Sequence, residues 1–110
     1  MAKDDFFPIV YRILATLYNN LKEDKENSKG LFDYECYDVK EKFFDYIIKY
    51  LIDEKYIINV KKNNYDIGNK YLGLENAQIT PKGIEYLQDN SIMAKTKLFL
   101  KDIKSSIPFI

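Results

Sequence analysis

The sequence contains no histidine and no tryptophan, and its single cysteine is Cys36. A lone cysteine excludes a disulfide within the chain, and the lack of histidine excludes the usual Cys/His zinc sites. Histidine is also the commonest general base, and the four glycines fit neither a P-loop nor a dinucleotide-binding fingerprint. The sequence therefore predicts a protein that is not an enzyme and that uses no metal ion or cofactor.

Long hydrophobic runs are also missing. No apolar run approaches the ~18 residues that a membrane span needs, and the first residues are too polar and acidic for a secretory signal. We therefore expect a cytoplasmic protein that does not associate with membranes. Of the 110 residues, 46% are hydrophobic and 31% are charged, which favours a folded chain over a disordered one. The length predicts one domain over residues 1–110.

The charges are balanced in number but not in position. Seventeen basic and seventeen acidic side chains give a net charge of zero. Residues 1–54 carry eight basic against twelve acidic side chains, whereas residues 55–110 carry nine against five. This gradient would steer a polyanion or an acidic protein toward the second half, and it would also allow two copies to pair.

The spacing of apolar residues predicts a first helix over about 5–21, with Asp5 as its N-cap and Pro8 in its first turn. Its apolar arc covers most of the helical wheel, so we expect this helix to be central or to be covered by a partner. An acidic, exposed loop follows at 22–30. Residues 31–37 are interpreted as a brief strand and a helical turn.

The second half of the chain predicts a helix, a hairpin and two more helices. Asp38 and Glu41 have the spacing of a capping box, which predicts a helix over about 38–54. A hairpin with a long tip is expected at about 56–79. Further helices are expected at about 81–89, started by Thr80 and Pro81, and at about 92–104, capped by Ser91.

Burial follows from the same patterns. The hairpin is expected to bury the face that carries Tyr56, Ile58 and Val60. We expect the last helix to pack on the first helix or on a second copy. The second helix carries Phe44, Ile48 and Ile52 beyond a single apolar stripe, and together with the wide apolar arc of the first helix this favours a homodimer.

The order helix, short segment, capped helix, hairpin, helix is that of a winged helix-turn-helix domain. The run from Phe43 to Ile58 resembles the third helix of such domains passing into the first strand of the wing. The run from Ile79 to Leu87 is similar to the hydrophobic-Thr-x-x-Gly-x-x-x-Leu segment that follows the wing in several winged-helix families. With the lysine-rich closing helix, these runs resemble the small YjcQ-like family of low-GC bacteria and their prophages, over roughly residues 9–104. The resemblance implies an α+β fold, a winged helix-turn-helix with an additional C-terminal helix.

If DNA is bound in the usual mode, the capped helix would read the major groove and the hairpin would be the wing. The candidate contact residues are Lys55, Lys61, Lys62, Asn63, Asn64, Tyr65 and Lys70 in the hairpin, and Lys42 and Lys49 on the helix. The polar face of the helix is expected to be nearly neutral, with Lys49 spaced to pair with Asp45 and Asp53. The alternative interpretation of the hairpin residues is an ordinary polar tip.

Two functions therefore stay open. The first is a non-catalytic transcriptional regulator of prophage or bacterial origin that binds double-stranded DNA as a homodimer. The second is a protein-interaction module on the same scaffold, such as a phage or mobile-element effector that binds a host protein. Residue types with AT-rich codons, above all Lys, Ile, Tyr, Asn and Phe, supply about half of the chain, which favours a low-GC genome.

Overall fold

A computed structural model describes residues 5–62 and 71–102. Within these ranges the chain is α+β, as predicted, with four α-helices and two small antiparallel sheets. The helices are α1 (Phe6–Glu23), α2 (Glu41–Asp53), α3 (Pro81–Asp89) and α4 (Ser91–Asp102), and the strands are β1 (Ile57–Ile58), β2 (Lys61–Lys62), β3 (Tyr71–Leu72) and β4 (Gln78–Ile79). Three short 3-10 helices occupy Lys29–Phe32, Tyr34–Tyr37 and Leu74–Asn76.

Helix α1 lies at the centre of the fold and contacts α2, α3, α4 and β4. Its buried residues include Val10, Ile13 and Leu14, none of which has measurable exposure. The flanking aromatic side chains of its wide apolar arc are half-buried and pack against the same core. The single chain therefore covers most of the arc that suggested a partner. Asp5 occupies the N-cap position, but its carboxylate makes no capping hydrogen bond.

The segment at 31–37 contains the predicted helical turn, at Tyr34–Tyr37, but not the predicted strand. It forms parts of two consecutive 3-10 helices, which place Leu31 and Tyr37 in the core. The Tyr37 hydroxyl donates to the buried carbonyl of Leu31 at 2.7 Å, and the Tyr37 ring stacks on Phe44 with centroids 5.3 Å apart. A strand has no neighbour to pair with here, whereas the tight turns bury two large side chains in seven residues.

The predicted capping box at Asp38 is wrong. Asp38 adopts a left-handed conformation (φ 56°) at the end of the second 3-10 helix, and α2 begins at Glu41 with Lys40 at its N-cap position. The burial of Tyr37 explains the shift, because the chain must turn directly after it before a helix can start. The acidic loop is also shorter than predicted, since α1 continues to Glu23 and the first 3-10 helix begins at Lys29.

The C-terminus of α2 sets the start of the hairpin. The amide of Tyr56 donates to Leu51 O and the amide of Lys55 donates to Ile52 O, each at 3.0 Å. This pattern is a Schellman motif, and it places Lys55 in the left-handed region at φ 62°. Glycine is the usual residue at such a position, because a side chain is strained there. The reversal turns the chain straight from α2 into β1.

The hairpin consists of two separate ladders. β1 pairs with β4, and β2 pairs with β3, both antiparallel. The ladders are separated because Asn59 (φ 73°) and Gly73 (φ 86°) both leave the extended conformation, and the 3-10 helix Leu74–Asn76 adds residues on the returning side. A Cβ on Gly73 would also lie 2.5 Å from Asn59 O, so the two residues that interrupt the strands lie close to each other.

The predicted buried face of the hairpin is wrong by one residue. Ile57 is buried together with its cross-strand partner Ile79, whereas Ile58 is 46% exposed opposite the exposed Gln78. Tyr56 is buried, but it precedes the strand, and Val60 is only half-buried between the two ladders. The alternation expected for a continuous strand does not apply, because neither ladder exceeds two residues per strand.

Helices α3 and α4 close the core. Thr80 and Pro81 start α3 as predicted. Asn90, not Ser91, caps α4, because its side-chain oxygen accepts from the amides of Ile92 and Met93 at 2.8 and 3.4 Å. The described part of α4 ends at Asp102, so 103 and 104 of the predicted helix lie outside the described residues. Met93 and Leu100 are buried, and α4 packs on α1, one of its two predicted partners.

The surplus apolar residues of α2 need no second copy. Phe44 and Ile48 are 3% and 1% exposed within the single chain, and Ile52 is half-buried against the core. The argument for a homodimer from these residues is therefore wrong, because the fold itself covers them. Self-association stays a prediction that the single chain does not test.

Candidate functional site

The outward face of α2 presents two lysines on either side of an aromatic side chain. Lys42, Tyr46 and Lys49 follow each other at intervals of four and three, so they share one face of the helix. Tyr46 is 64% exposed, and its ring lies against Phe6 of α1 with centroids 6.0 Å apart. We call Lys42, Tyr46 and Lys49 the α2 face.

The charge of the α2 face is partly neutralised. Lys49 forms an ion pair with Asp53 at 2.5 Å, as its spacing predicts. The hydrogen bond to Asp53 is the main cause of the raised pKa of Lys49, and the nearby Tyr71 and Tyr46 raise it further. Lys42 makes no ion pair with any of the described residues. Of the two lysines, Lys42 is therefore the one that is available to an external anion.

The hairpin contributes two lysines whose side chains the structure describes. Lys55 and Lys61 are exposed and form no ion pair within residues 5–62 and 71–102. Lys61 and Lys62 form β2 on the outer ladder. The remaining predicted contact residues, Asn63, Asn64, Tyr65 and Lys70, lie outside the described residues.

A tyrosine joins the outer ladder to α2. Tyr71, which pairs with Lys62 across the ladder, places its hydroxyl 3.5 Å from the backbone carbonyl of Asp45. The outer ladder, which includes Lys61 and Lys62, is thus held against α2, the helix that carries Lys42 and Lys49.

The base of the hairpin is fixed by the start of α3. The amide of Thr80 donates to Tyr56 O at 2.9 Å, and its hydroxyl donates to Lys55 O at 2.6 Å. The same hydroxyl accepts from the amide of Gly83 at 3.0 Å, which is the N-terminal cap of α3. Thr80 and Gly83 are the fixed residues of the Thr-x-x-Gly segment, so this segment holds the hairpin to the end of α2.

An aromatic cluster supports the same joint. The rings of Tyr56 and Tyr86 stack with centroids 4.4 Å apart, and the Tyr50 hydroxyl donates to the Tyr86 hydroxyl at 3.3 Å. Lys82 lies over the Tyr56 ring at 5.5 Å from its centroid. Removal from water raises the pKa of Tyr56 to about 12. The cluster ties α2, the residue before β1 and α3 together, so the hairpin base has little freedom to move relative to α2.

The other side of the hairpin is held by the loop after α1. Asn27 donates through its amide nitrogen toward the carbonyls of Leu74, Glu75 and Ala77, with Ala77 O nearest at 3.0 Å. Its side-chain oxygen accepts from the Asn20 amide at 3.2 Å. The acidic loop therefore has a structural function that its charged composition did not indicate.

Two residues of this surface, Tyr46 and Tyr71, and one residue of the loop that supports the hairpin, Asn27, are not among the predicted contact residues. Tyr46 was not selected, because an aromatic residue in an amphipathic helix usually belongs to the core. Tyr71 was assigned only to a strand, and Asn27 only to a loop. The helical spacing of Tyr46 between Lys42 and Lys49 is a signal that could have identified it, whereas the contacts of Tyr71 and Asn27 join residues far apart in sequence.

Other site types have little support in the described part of the chain. Within residues 5–62 and 71–102, no three His, Cys, Asp or Glu side chains converge in a way that could hold a metal ion. No helix in the same ranges is long and apolar enough to cross a membrane.

The described residues define the class as a small α+β domain with a hairpin fixed between its second and third helices. The family model for the YjcQ protein matches residues 11–106, so the chain belongs to the YjcQ family. No curated protein and no solved structure gives a significant match.

Proposed function

We propose that this YjcQ-family chain is a DNA-binding winged-helix protein, a non-catalytic transcriptional regulator of prophage or bacterial origin. In this proposal α2 is the recognition helix and the two-ladder hairpin is the wing. The order of α1, the 3-10 segment, α2, the hairpin and α3 supports the comparison with winged helices. The fold alone is an argument by analogy, so the proposal depends on the surface.

The observation that carries the proposal is the adjacency of the α2 face and the outer ladder. Tyr71 contacts the backbone of α2 at Asp45, so the outer ladder that contains Lys61 and Lys62 lies against the helix that carries Lys42 and Lys49. Lysines contact phosphates without regard to sequence, while a helix in the major groove reads base edges. Tyr46 at the centre of the α2 face has both a ring and a hydroxyl to offer a base.

The direct test is a titration of the protein into labelled duplex DNA of mixed sequence, followed by fluorescence anisotropy. Binding is expected at low salt, and its affinity should fall as the salt concentration rises, because phosphate contacts release counterions. No binding at low salt, or an affinity that does not respond to salt, would overturn the proposal.

Charge reversal then locates the contact. Lys61→Glu together with Lys62→Glu should weaken binding to all DNA sequences alike. The slope of the logarithm of the binding constant against the logarithm of the salt concentration should become shallower by about 2, as expected for two lost phosphate contacts. The matched control, Lys22→Glu with Lys97→Glu, makes the same charge change at exposed positions of α1 and α4 and should have a smaller effect. Reversal of Lys42 and Lys49 should also cost less than reversal at the hairpin, because Asp53 already neutralises Lys49. If the α2 reversals abolish binding and the hairpin reversals do not, the contact surface is the helix alone.

A second candidate function is a protein-interaction module that binds a host protein. The partly neutralised α2 face and the exposed apolar side chains of α4, Leu98 at 64% and Phe99 at 43%, favour it. Affinity purification from a low-GC bacterial lysate separates the candidates. A stoichiometric protein that resists nuclease supports the interaction module, and recovery of nuclease-sensitive DNA alone contradicts it.

A further inference from the structure

A groove lies between α1, α3 and α4, on residues that the DNA-binding proposal does not use. Its volume is about 670 Å³, and it opens to solvent along its length. Tyr11, Ala15 and Tyr18 of α1 line its floor, and Leu87 of α3 and Leu98 of α4 line its sides. Leu98 is 64% exposed, so the groove contains an apolar side chain that is not buried in the core.

The shape of the groove suits a helix. Tyr11, Ala15, Tyr18 and Lys22 recur at intervals of four, three and four, and therefore form one stripe along α1. At 1.5 Å per residue the stripe is about 16 Å long, which is three helical turns. Ala15 in the floor and Ala94 in the side wall leave room for the side chains of an occupant. An amphipathic helix binds such a groove through apolar anchors at intervals of three and four residues.

The charge of the groove selects the occupant. Lys22 and Lys97 are exposed, and they are the charged members of a lining that includes no carboxylate among the described residues. Lys22 lies over the Tyr18 ring at 4.5 Å from its centroid, so its ammonium group is held at the edge of the floor. A second copy of the chain would bring Lys95 and Lys97 of its own α4 next to Leu98, and these lysines would repel Lys22 and Lys97.

We propose that the groove between α1, α3 and α4 binds an acidic amphipathic helix of a partner protein. The apolar stripe of that helix lies on the tyrosines of α1 and against Leu98, and its carboxylates meet Lys22 and Lys97. This inference rests on the second candidate function, for which it supplies a site, and it is independent of DNA binding by the hairpin.

The test uses three labelled synthetic peptides of sixteen residues and the full chain at physiological salt. The first peptide has leucines at intervals of three and four with glutamates on both sides of that stripe. The second has lysines in place of the glutamates, and the third has the composition of the first in an order that breaks the stripe. Fluorescence anisotropy should show that the first peptide binds at least about tenfold tighter than either of the others.

Variants connect that binding to the groove. Lys22→Glu with Lys97→Glu should weaken binding of the acidic peptide by about tenfold, whereas Lys61→Glu with Lys62→Glu, which changes the net charge equally, should leave it within about twofold. Leu98→Ala should weaken binding of the acidic peptide by about fivefold. It should not change DNA binding, since no charge is altered. All five positions lie on exposed residues or on the outer ladder, so the variants should fold, and thermal unfolding checks this.

Three results would overturn the inference. One is an acidic peptide that binds no better than the two control peptides. Another is binding of the acidic peptide that survives the Lys22 and Lys97 reversal. The third is a dimer in light scattering that Leu98→Ala converts to a monomer while no peptide binds, which would make a second copy the occupant. Because the peptides contain no nucleic acid, none of these results bears on the DNA titration.

Discussion

Replacement of Gly83 by alanine tests the joint between the hairpin and α3. A Cβ at this position would lie 2.5 Å from the carbonyl oxygen of Tyr56 and 2.8 Å from Cγ1 of Ile79. The isoleucine side chain can adjust, but the carbonyl cannot move freely, because it accepts the Thr80 amide at 2.9 Å. Since ordinary contact begins near 3.4 Å, the start of α3 must move by about 0.9 Å. We therefore expect the substitution to separate α3 from the end of α2.

The magnitude follows from two opposing contributions. Overpacking with a backbone shift costs about 1–3 kcal/mol, and a weakened Thr80 hydrogen bond adds about 0.5–1.5 kcal/mol. Against this, alanine stabilises the helix by up to about 1 kcal/mol relative to glycine, because it is the better helix former. The free energy of unfolding should therefore fall by about 2 kcal/mol, with a melting temperature about 10 °C lower for a domain of this size.

Urea unfolding followed by far-ultraviolet circular dichroism measures this difference. Glu85→Ala is the matched control, because it lies on the exposed side of the same helix and should change stability by no more than about 0.5 kcal/mol. A Gly83→Ala protein as stable as the parent, or more stable, would refute the reasoning. In that case helix propensity at Gly83 would outweigh the close approach of Tyr56.

Other outcomes follow from the described contacts. Lys55→Gly should leave the free energy of unfolding unchanged or raise it by up to about 1 kcal/mol in urea titrations, because it removes left-handed strain, while it weakens any DNA binding. Tyr37→Phe should cost about 1–2 kcal/mol in the same assay, since the buried Leu31 carbonyl loses its donor. The contribution of Tyr56 to stability should be fully present below pH 10 and should be lost as the pH rises toward 12, because burial raises the pKa of Tyr56 and the unfolded chain loses that proton first. Unfolding curves across this range check the trend, and Tyr56→Phe should make the fall shallower.

Local signals in the sequence predicted the elements that depend on local contacts. The periodicity of α1 extends over five turns, so the helix was evident from the spacing alone, whereas the spacing left open whether the rest of the fold or a partner covers it. The start of α3 was also predictable, because Thr80 and Pro81 act on amides within one turn of themselves. The same kind of signal failed at Asp38, where the burial of Tyr37 against Phe44 determines the path of the chain.

The candidate site was predicted in composition but not in arrangement. The lysines of α2 and the hairpin follow from charge and helical spacing, and their contact with DNA stays a prediction. The contact that holds the outer ladder against α2, between Tyr71 and Asp45, joins positions 26 residues apart and has no local signature. The exposure of Ile58 was missed for a related reason, because the left-handed Lys55 and Asn59 on either side of β1 cannot be recognised from residue type alone.

The closure of the hairpin base has a consequence for how this chain can diversify. The hydrogen bond from the Thr80 amide to the Tyr56 carbonyl joins the two ends of the hairpin. A second hydrogen bond, of 3.2 Å, runs from the side-chain amide of Asn59 to the carbonyl of Asn76. Extending a loop whose ends are already joined costs little, about 0.6 kcal/mol for each doubling of its length. Insertions and deletions between β2 and β3 should therefore be tolerated by the helical body. Related chains can change what this end of the molecule touches while they keep the same core.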